Sequence, residues 1–362
     1  MKLKPLQGRR DRRDFDGIVK EIYRGNPLYR STEHDIQRLL LGGKSAFHSH
    51  ATVEAYLIQE GDLTRGRFAL IQDRNLPDYV QVSFFEALPG LNDIAGLISE
   101  LARVRFPDCR KMVVGLNGHL NYGAGFLINT FDEAPVFGLP YNPEYYQDYF
   151  GALKSRTMVS FRFPTEPFFD YHRRMGPQPD LKGISVRKLN KKKLRRETEI
   201  YTSLNNACFG EHPYWAHRDV KEDFELFYPF RFLIREENLL FAERDGETIG
   251  FFLWYPDFNE LVSGHRHLGL SHVLRYRYAN PVQSFRFTEI AVLPGYLNSH
   301  AVQAMILHAV PYIRKQGITS GEGGFIFEEN RSSMLMTRRF LERTTGGSLN
   351  PHRKYAVFET EL

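Results

Sequence analysis

The chain has 362 residues, 42% hydrophobic and 25% charged, with a formal net charge of +5; this length suits two domains of average size, each with its own core. The composition is that of a folded globular protein. No apolar run approaches the length of a membrane span, and two distant cysteines, Cys109 and Cys208, exclude a disulfide framework and a cysteine-based zinc site.

The N-terminal "MKLKPLQGRRDRRDF" lacks the apolar segment of a secretion signal, which predicts a cytoplasmic protein without membrane contact. Its arginines, Arg9, Arg10, Arg12 and Arg13, form one basic cluster. "VRKLNKKKLRRE" at 186–197 and Arg331, Arg338 and Arg339 form two more. Such clusters serve either as solvated surface or as attraction for a polyanion, a nucleotide or RNA.

"TVEAYLIQEGDLTRGRFALIQD" reads as a hairpin turning at Gly-Asp, and "DYVQVSFFEAL" as a further strand. Apolar residues Ile94, Leu97, Ile98, Leu101 and Val104 recur on one face of a helix predicted from Asp93 to Arg105. The short strand "KMVVGL" follows. Residues 162–183, with four prolines and two glycines, read as a linker. Beyond it the order recurs: the strand "GISVRKLN", a helical stretch over 191–230, a hairpin turning at Asp245 and Gly246, and the strand "SFRFTEIAVL". A helix over 298–316 should bury Val302, Met305, Ile306, Ala309, Val310 and Ile313, with Pro311 weakening it and Gly317 ending it. The strand "GGFIFE", a helix over 331–342 and the strand "KYAVFETEL" complete the chain. Both halves contain hairpin, strand, helix, strand, which points to an internal duplication.

Strand, two helices, hairpin, strand, helix, strand, helix, strand is the order of the GNAT acyltransferase fold. On "PVFGLPYNPEYYQDYF", "FFLWYPDFNELVSGHR" and "GEGGFIFEENRSSM" the sequence resembles a family of bacterial tandem-GNAT proteins of about this length, over nearly the whole chain. The resemblance implies an α/β (α+β) protein of two tandem GNAT-like domains, each a mixed, mostly antiparallel twisted sheet flanked by helices. The first, 1–163, reads as a degenerate copy that walls the cleft of the second, 184–362, across a linker at 164–183. It implies transfer of an acyl group, most simply acetyl from acetyl-CoA or another acyl-CoA, to a small primary amine without a metal. Tandem-GNAT architecture also occurs in Fem-type transferases, which take an aminoacyl group from charged tRNA; the basic clusters suit that partner. A non-catalytic binding module is the third alternative.

For the candidate site, Glu289 lies mid-strand where many GNAT enzymes place a base acting through water, and Glu322 opens the neighbouring strand. Each is either catalytic or an ordinary structural carboxylate. The general fold parts these two strands around the acyl carrier, which would pair with backbone at Ala291 and Val292. The strand-to-helix loop lacks the usual glycines. Asn298, Ser299, His300, Ala301 and Val302 there either bind the cofactor's phosphates through free helix N–H groups or only cap the helix. Asn330 is either a cofactor contact or the N-cap of the last helix. Thr337 stands where many relatives carry an acid tyrosine; Tyr296 or Tyr312 could replace it, or pack. Asp257 and Asn259 suit the acceptor side of the cleft or a turn, and Tyr296 joins them as a substrate contact. Tyr141, Asn142, Tyr145 and Tyr146 read as core or interface. His265, His267 and His272 alternate, but no carboxylate or cysteine completes a metal set, so no metal is expected.

Overall fold

The computed structural model describes residues 1–31, 33–176, 181 and 183–362. The first half runs β1 (Lys2–Pro5), α1 (Gly8–Ile22), α2 (His34–Leu41), β2 (Ala51–Glu60), β3 (Leu63–Asp73), β4 (Tyr79–Ala87), α3 (Ile94–Arg105), β5 (Lys111–Val114), β6 (Phe126–Leu127) and α4 (Tyr146–Phe150). Strand β7 (Lys154–Pro164) and helix α5 (Glu166–Met175) follow. The second half runs β8 (Ser185–Lys188), α6 (Leu194–Phe209), α7 (Val220–Phe230), β9 (Leu239–Arg244), β10 (Glu247–Pro256), α8 (Leu270–Ala279), β11 (Ser284–Val292), α9 (Ala301–Lys315), β12 (Ser320–Phe327), α10 (Arg331–Thr345) and β13 (Lys354–Glu361).

Among the described residues, all thirteen strands form one sheet in the order β1-β2-β3-β4-β5-β13-β7-β12-β11-β10-β9-β8, with β6 set on β13. The order crosses the boundary expected at 163. Strand β7, from the first half of the sequence, pairs with β12, while the C-terminal β13 pairs with β5; β7 and β13 also pair with each other. Each half-sheet is thereby completed by the other half's last strand.

The region read as a linker is ordered at its start, where Arg162 to Pro164 end β7 and Glu166–Met175 are helical. Phe161, Phe163, Phe168 and Phe169 are buried in the second half's core, and that apolar content outweighs the local prolines. Pro167 sits in the first turn of α5, where its missing N–H costs nothing. Residues 177–180 and 182 of the expected linker lie outside the described residues.

The sequence periodicities account for most elements. Asp245 and Gly246 both take positive φ, 51° and 84°, as a tight hairpin turn with the sheet's twist requires. Helix α3 buries Ile94, Ile98 and Ala102, but Val104, expected on that face, is 77% exposed. Helix α9 starts at Ala301 rather than 298 and packs Met305, Ile306, Ala309, Val310 and Ile313 against Phe252, Trp254 and Phe285. On the opposite sheet face, Tyr201, Leu204 and Phe227 of α6 and α7 cover Phe241 and Phe251. The two halves are fastened beside this layer: His50 bridges Asp73 (2.8 Å) and Glu222 of α7 (2.7 Å), and Ser45 donates to Glu225 (2.6 Å). No helix among the described residues is long and apolar enough to cross a membrane.

Candidate active site

Strands β11 and β12 pair in parallel only from Ser284↔Ser320 to Phe287↔Gly323. Beyond that point β11 stays with β10 as far as Val292, and β12 stays with β7 as far as Phe327. The cause is local. Leu253 opposes Glu289 while Trp254 opposes Phe287, so Thr288 is an extra residue; the β12/β7 register shifts between Gly324 and Ile326. An extra residue bends its strand, and here both strands bend at the same level, away from each other. Gly324 is required at the bend: its φ is 139°, and a Cβ there would lie 2.8 Å from the Ser160 Cα and the Val159 carbonyl.

The gap opens into a cavity of about 430 Å³ walled by both halves of the chain. Glu289 sits on its wall, two residues past the last strand pair. The Tyr201 hydroxyl donates to its Oε2 at 2.8 Å and the Asn205 amide at 2.7 Å. Asn121, from the first half, donates to the Tyr201 hydroxyl at 3.4 Å. Burial, reinforced by the charge of Glu289, pushes the Tyr201 phenol well above its ordinary value, which keeps it a neutral donor. A half-buried carboxylate on the cavity wall, held by two bonds to one of its oxygens, can accept a proton from a bound ligand.

The second acid is placed differently from expectation. Glu322 is 2% exposed and does not line the cavity. It still lies in the paired part of β12, and its oxygens accept from Ser160 (2.6 Å) and from Arg353 Nη1 (2.6 Å). It is half of a buried ion pair that joins β12 to the segment entering β13.

The β11 backbone groups that face the gap are offset by one residue from those expected there. Leu293 N–H donates to the Ile249 carbonyl (2.8 Å), so by strand alternation Ala291 also turns its backbone toward β10, where Phe251 opposes it. Ile290 and Val292 therefore present their N–H and C=O groups to the gap, and Ala291 does not. At the head of α9, Val302 lines the cavity whereas Asn298, Ser299, His300 and Ala301 lie outside its wall. His300 is exposed, with φ of 65°, and its carbonyl accepts from Ala304; the buried Ser299 hydroxyl oxygen accepts from Ala301 N–H at 3.4 Å. Asn330 lines the cavity and caps α10, its side chain accepting from Ser333 N–H at 3.1 Å. Thr337 lines the cavity as well.

Two residues expected as substrate contacts lie off the cavity wall. Asp257 is 6% exposed and off the cavity wall; it accepts from the Phe137 N–H at 2.8 Å and the Asn259 N–H at 3.0 Å, docking the first half onto the second. Tyr296 also lies off the wall, its hydroxyl 3.3 Å from Glu247 at the surface. Asn259 does reach the cavity, while its amide donates to the Pro135 carbonyl at 2.8 Å. Burial raises the Asp257 carboxyl to about 7. A folded-state value above the unfolded one means the stabilisation is complete below about pH 4 and is lost as pH rises toward 7. The contribution of Asp257 should therefore fall over that interval, and Asp257→Asn, which can keep both backbone bonds, should gain melting temperature relative to wild type as pH rises from about 4 to 7; an unchanged difference between the two proteins by scanning calorimetry would contradict this.

The first half repeats the geometry without the space. Strands β4 and β5 pair in parallel from Tyr79↔Lys111 to Val82↔Val114 and then part. Phe126 and Tyr146 fill the opening, leaving about 30 Å³ beside Glu86, which accepts from Tyr23 (3.0 Å) and Tyr146 (2.6 Å). Tyr145 and Tyr146 are thus core residues, and Tyr141 and Asn142 bond to backbone at Phe131 and Leu127. The three histidines are engaged separately: His265 packs on Tyr29, His267 stacks on His34, and His272 accepts from Gly269 N–H. No group of three or more potential metal ligands occurs among the described residues.

Tyr201, Asn205 and Arg286 were not singled out by sequence reasoning. A signal for the first two exists. Thr198, Tyr201, Thr202 and Asn205 recur at helical spacing and are all at most 3% exposed, so a polar stripe occupies the face of α6 that should be apolar.

No family model matches the sequence, and no curated protein matches it. Solved structures do. A tandem GNAT protein from the clavulanic acid biosynthesis pathway superposes with a TM-score of 0.56 at 11% identity, covering 99% of this chain and 98% of that one. A glucosamine N-acetyltransferase region of a fungal multi-domain β-N-acetylglucosaminidase gives 0.55 at 10% identity, covering 99% of this chain and 38% of that one. A GCN5-related N-acetyltransferase from Anabaena variabilis gives 0.50 at 8% identity, covering 99% and 72%. The chain therefore has the tandem GNAT fold.

Proposed function

We propose that a protein with this fold and this cleft is an N-acyltransferase, moving an acyl group, most simply acetyl, from a CoA thioester to a primary amine. The observation that carries the reading is Glu289: a carboxylate just beyond the point where β11 and β12 part, oriented by Tyr201 and Asn205 and open to the cavity.

In this reading Ile290 and Val292 offer their backbone groups to the amides of the donor's arm. The head of α9 offers the helix dipole to its phosphates, with the first-turn N–H of Val302 on the cavity wall, while the Ala301 N–H is taken by Ser299. Val302, Ile306, Phe340 and Leu341 give the arm an apolar, water-poor channel. Asn330 and Thr337 lie on the same wall. Glu289 removes one proton as the amine nitrogen adds to the thioester carbonyl. When the C–S bond breaks, that proton leaves with sulfur as the free thiol, so the amide and the thiol are the two products. Tyr201 holds the carboxylate through the cycle and delocalises its charge by hydrogen bonding.

The test is to supply acetyl-CoA and longer acyl-CoAs with a panel of primary amines and follow thiol release with a thiol reagent. Release that requires both the thioester and an amine is expected. No release above the uncatalysed rate, together with no heat of binding for any acyl-CoA, would remove the reading.

A further inference from the structure

The acceptor amine also carries a carboxylate, and we infer that Arg286 receives it; the inference rests on the acyltransferase reading and names the substrate class of the same cleft. Arg286 lies on β11, lines the cavity and is 8% exposed. Residues three apart on a regular strand face opposite sides of the sheet. Here the extra residue Thr288 changes that: Arg286 opposes Tyr255 and Glu289 opposes Leu253, so both fall on the face covered by α6 and the first half. The bulge that opens the cleft also brings a cation and a base onto one wall.

No ion-pair partner neutralises the guanidinium among the described residues. Its Nη1 donates to the Phe137 carbonyl at 3.3 Å, its Nε has no partner, and no carboxylate among the described residues lies within the 4.0 Å of an ion pair. Other buried arginines differ: Arg218 pairs with Asp223, and Arg353 pairs with Glu322 at 2.6 Å. Glu322 opposes Arg286 across the strand pair, but both of its oxygens are engaged by Ser160 and Arg353. A guanidinium keeps its charge in proteins, and a buried charge without a counter-ion is strongly unfavourable. The cavity is where the counter-ion belongs. Gly138 leaves room for the group, since a Cβ there would collide with Nη1.

The ligand's chemistry follows from the surroundings. Arg266, the other arginine on the cavity wall among the described residues, is exposed, so one buried guanidinium faces one anionic group; a carboxylate, with a single charge and a planar pair of oxygens, matches its fork. Because Thr288 is bulged out, Arg286 and Glu289 oppose Tyr255 and Leu253, two residues apart on β10; two steps of strand rise put them about 7 Å apart along the strand, a spacing that a small amino acid can bridge between the two side chains. Phe137, Tyr255 and Phe258 pack together beside Arg286 on the wall, with ring centroids 5.4–6.1 Å apart. They suit an apolar or aromatic side chain. The acceptor class is a free amino acid of that kind.

The experiment pairs each amino acid with its decarboxylated amine: leucine with isoamylamine, and phenylalanine with phenethylamine, acetyl-CoA being the donor. The kcat/KM for the amino acid should exceed that for the amine by about 10²-fold or more, and Arg286→Met should collapse the ratio toward one while Arg286→Lys keeps part of it. A second readout needs no turnover: because Arg286→Met removes an uncompensated charge, its melting temperature should match or exceed wild type. Equal kcat/KM within each pair, an unchanged ratio in Arg286→Met, or a melting temperature several degrees lower in that variant would each overturn the assignment. If no amine at all is acylated, the acyltransferase reading falls instead. Calorimetric titration then decides Arg286 separately, with binding of phenylalanine but not of phenethylamine supporting it and equal or absent binding of both overturning it.

Discussion

Glu289→Gln is expected to lower kcat for acyl transfer by about 10²- to 10⁴-fold, the usual contribution of a positioned general base. The KM for the thioester and the melting temperature should change little. Glutamine has the same shape, and its carbonyl oxygen can still accept from Tyr201 and Asn205, which bond only one of the two carboxylate oxygens. What it cannot do is take a proton. Tyr201→Phe should give a smaller loss, because the base remains but one of its two holding bonds is removed. Steady-state kinetics on folded variants, verified by circular dichroism, measures both. Wild-type turnover in Glu289→Gln would show that the amine reacts without help from this side chain.

Glu322→Ala should do the opposite: destabilise the protein strongly without a direct effect on the chemistry. Removing one partner of a buried ion pair costs about 3–5 kcal/mol, because the remaining charge stays desolvated. A value of about 3 kcal/mol is expected here, at the low end of that range, since Glu133 lies 3.5 Å from Arg353 and can take up part of the charge. The double variant Glu322→Met with Arg353→Met should recover much of the loss, because two apolar side chains of similar volume leave no charge behind. Denaturant titration of the single and double variants measures the coupling. A single variant as stable as wild type would mean that Arg353 is satisfied without Glu322.

The two acids look equivalent in sequence, each on a strand rich in apolar residues near a cleft implied by the fold. Their separation depends on position relative to the parting point. Glu289 lies beyond the last β11–β12 pair and Glu322 lies before it. That point is set by the extra residue Thr288 and the register shift at Gly324, both defined only by what the partner strands do. The same bulge puts Arg286 on the wall with Glu289, two positions that regular strand alternation would place on opposite faces. Asp257 suits either the acceptor side of the cleft or a turn; it caps the turn through the Asn259 N–H and also accepts the Phe137 N–H, a contact 120 residues distant in sequence.

Local pattern determined the tandem hairpin, strand, helix, strand order, the turns at Gly61–Asp62 and Asp245–Gly246, and the inward face of α9, because each follows from side-chain period and backbone preference within a few residues. The exchange of β7 and β13 between the half-sheets, the filling of the first half's opening by Phe126 and Tyr146, and the unmatched charge of Arg286 were decided only by tertiary structure. Those features depend on which distant strand completes a sheet and which distant side chain fills or neutralises a space, and no property of a short segment carries that information.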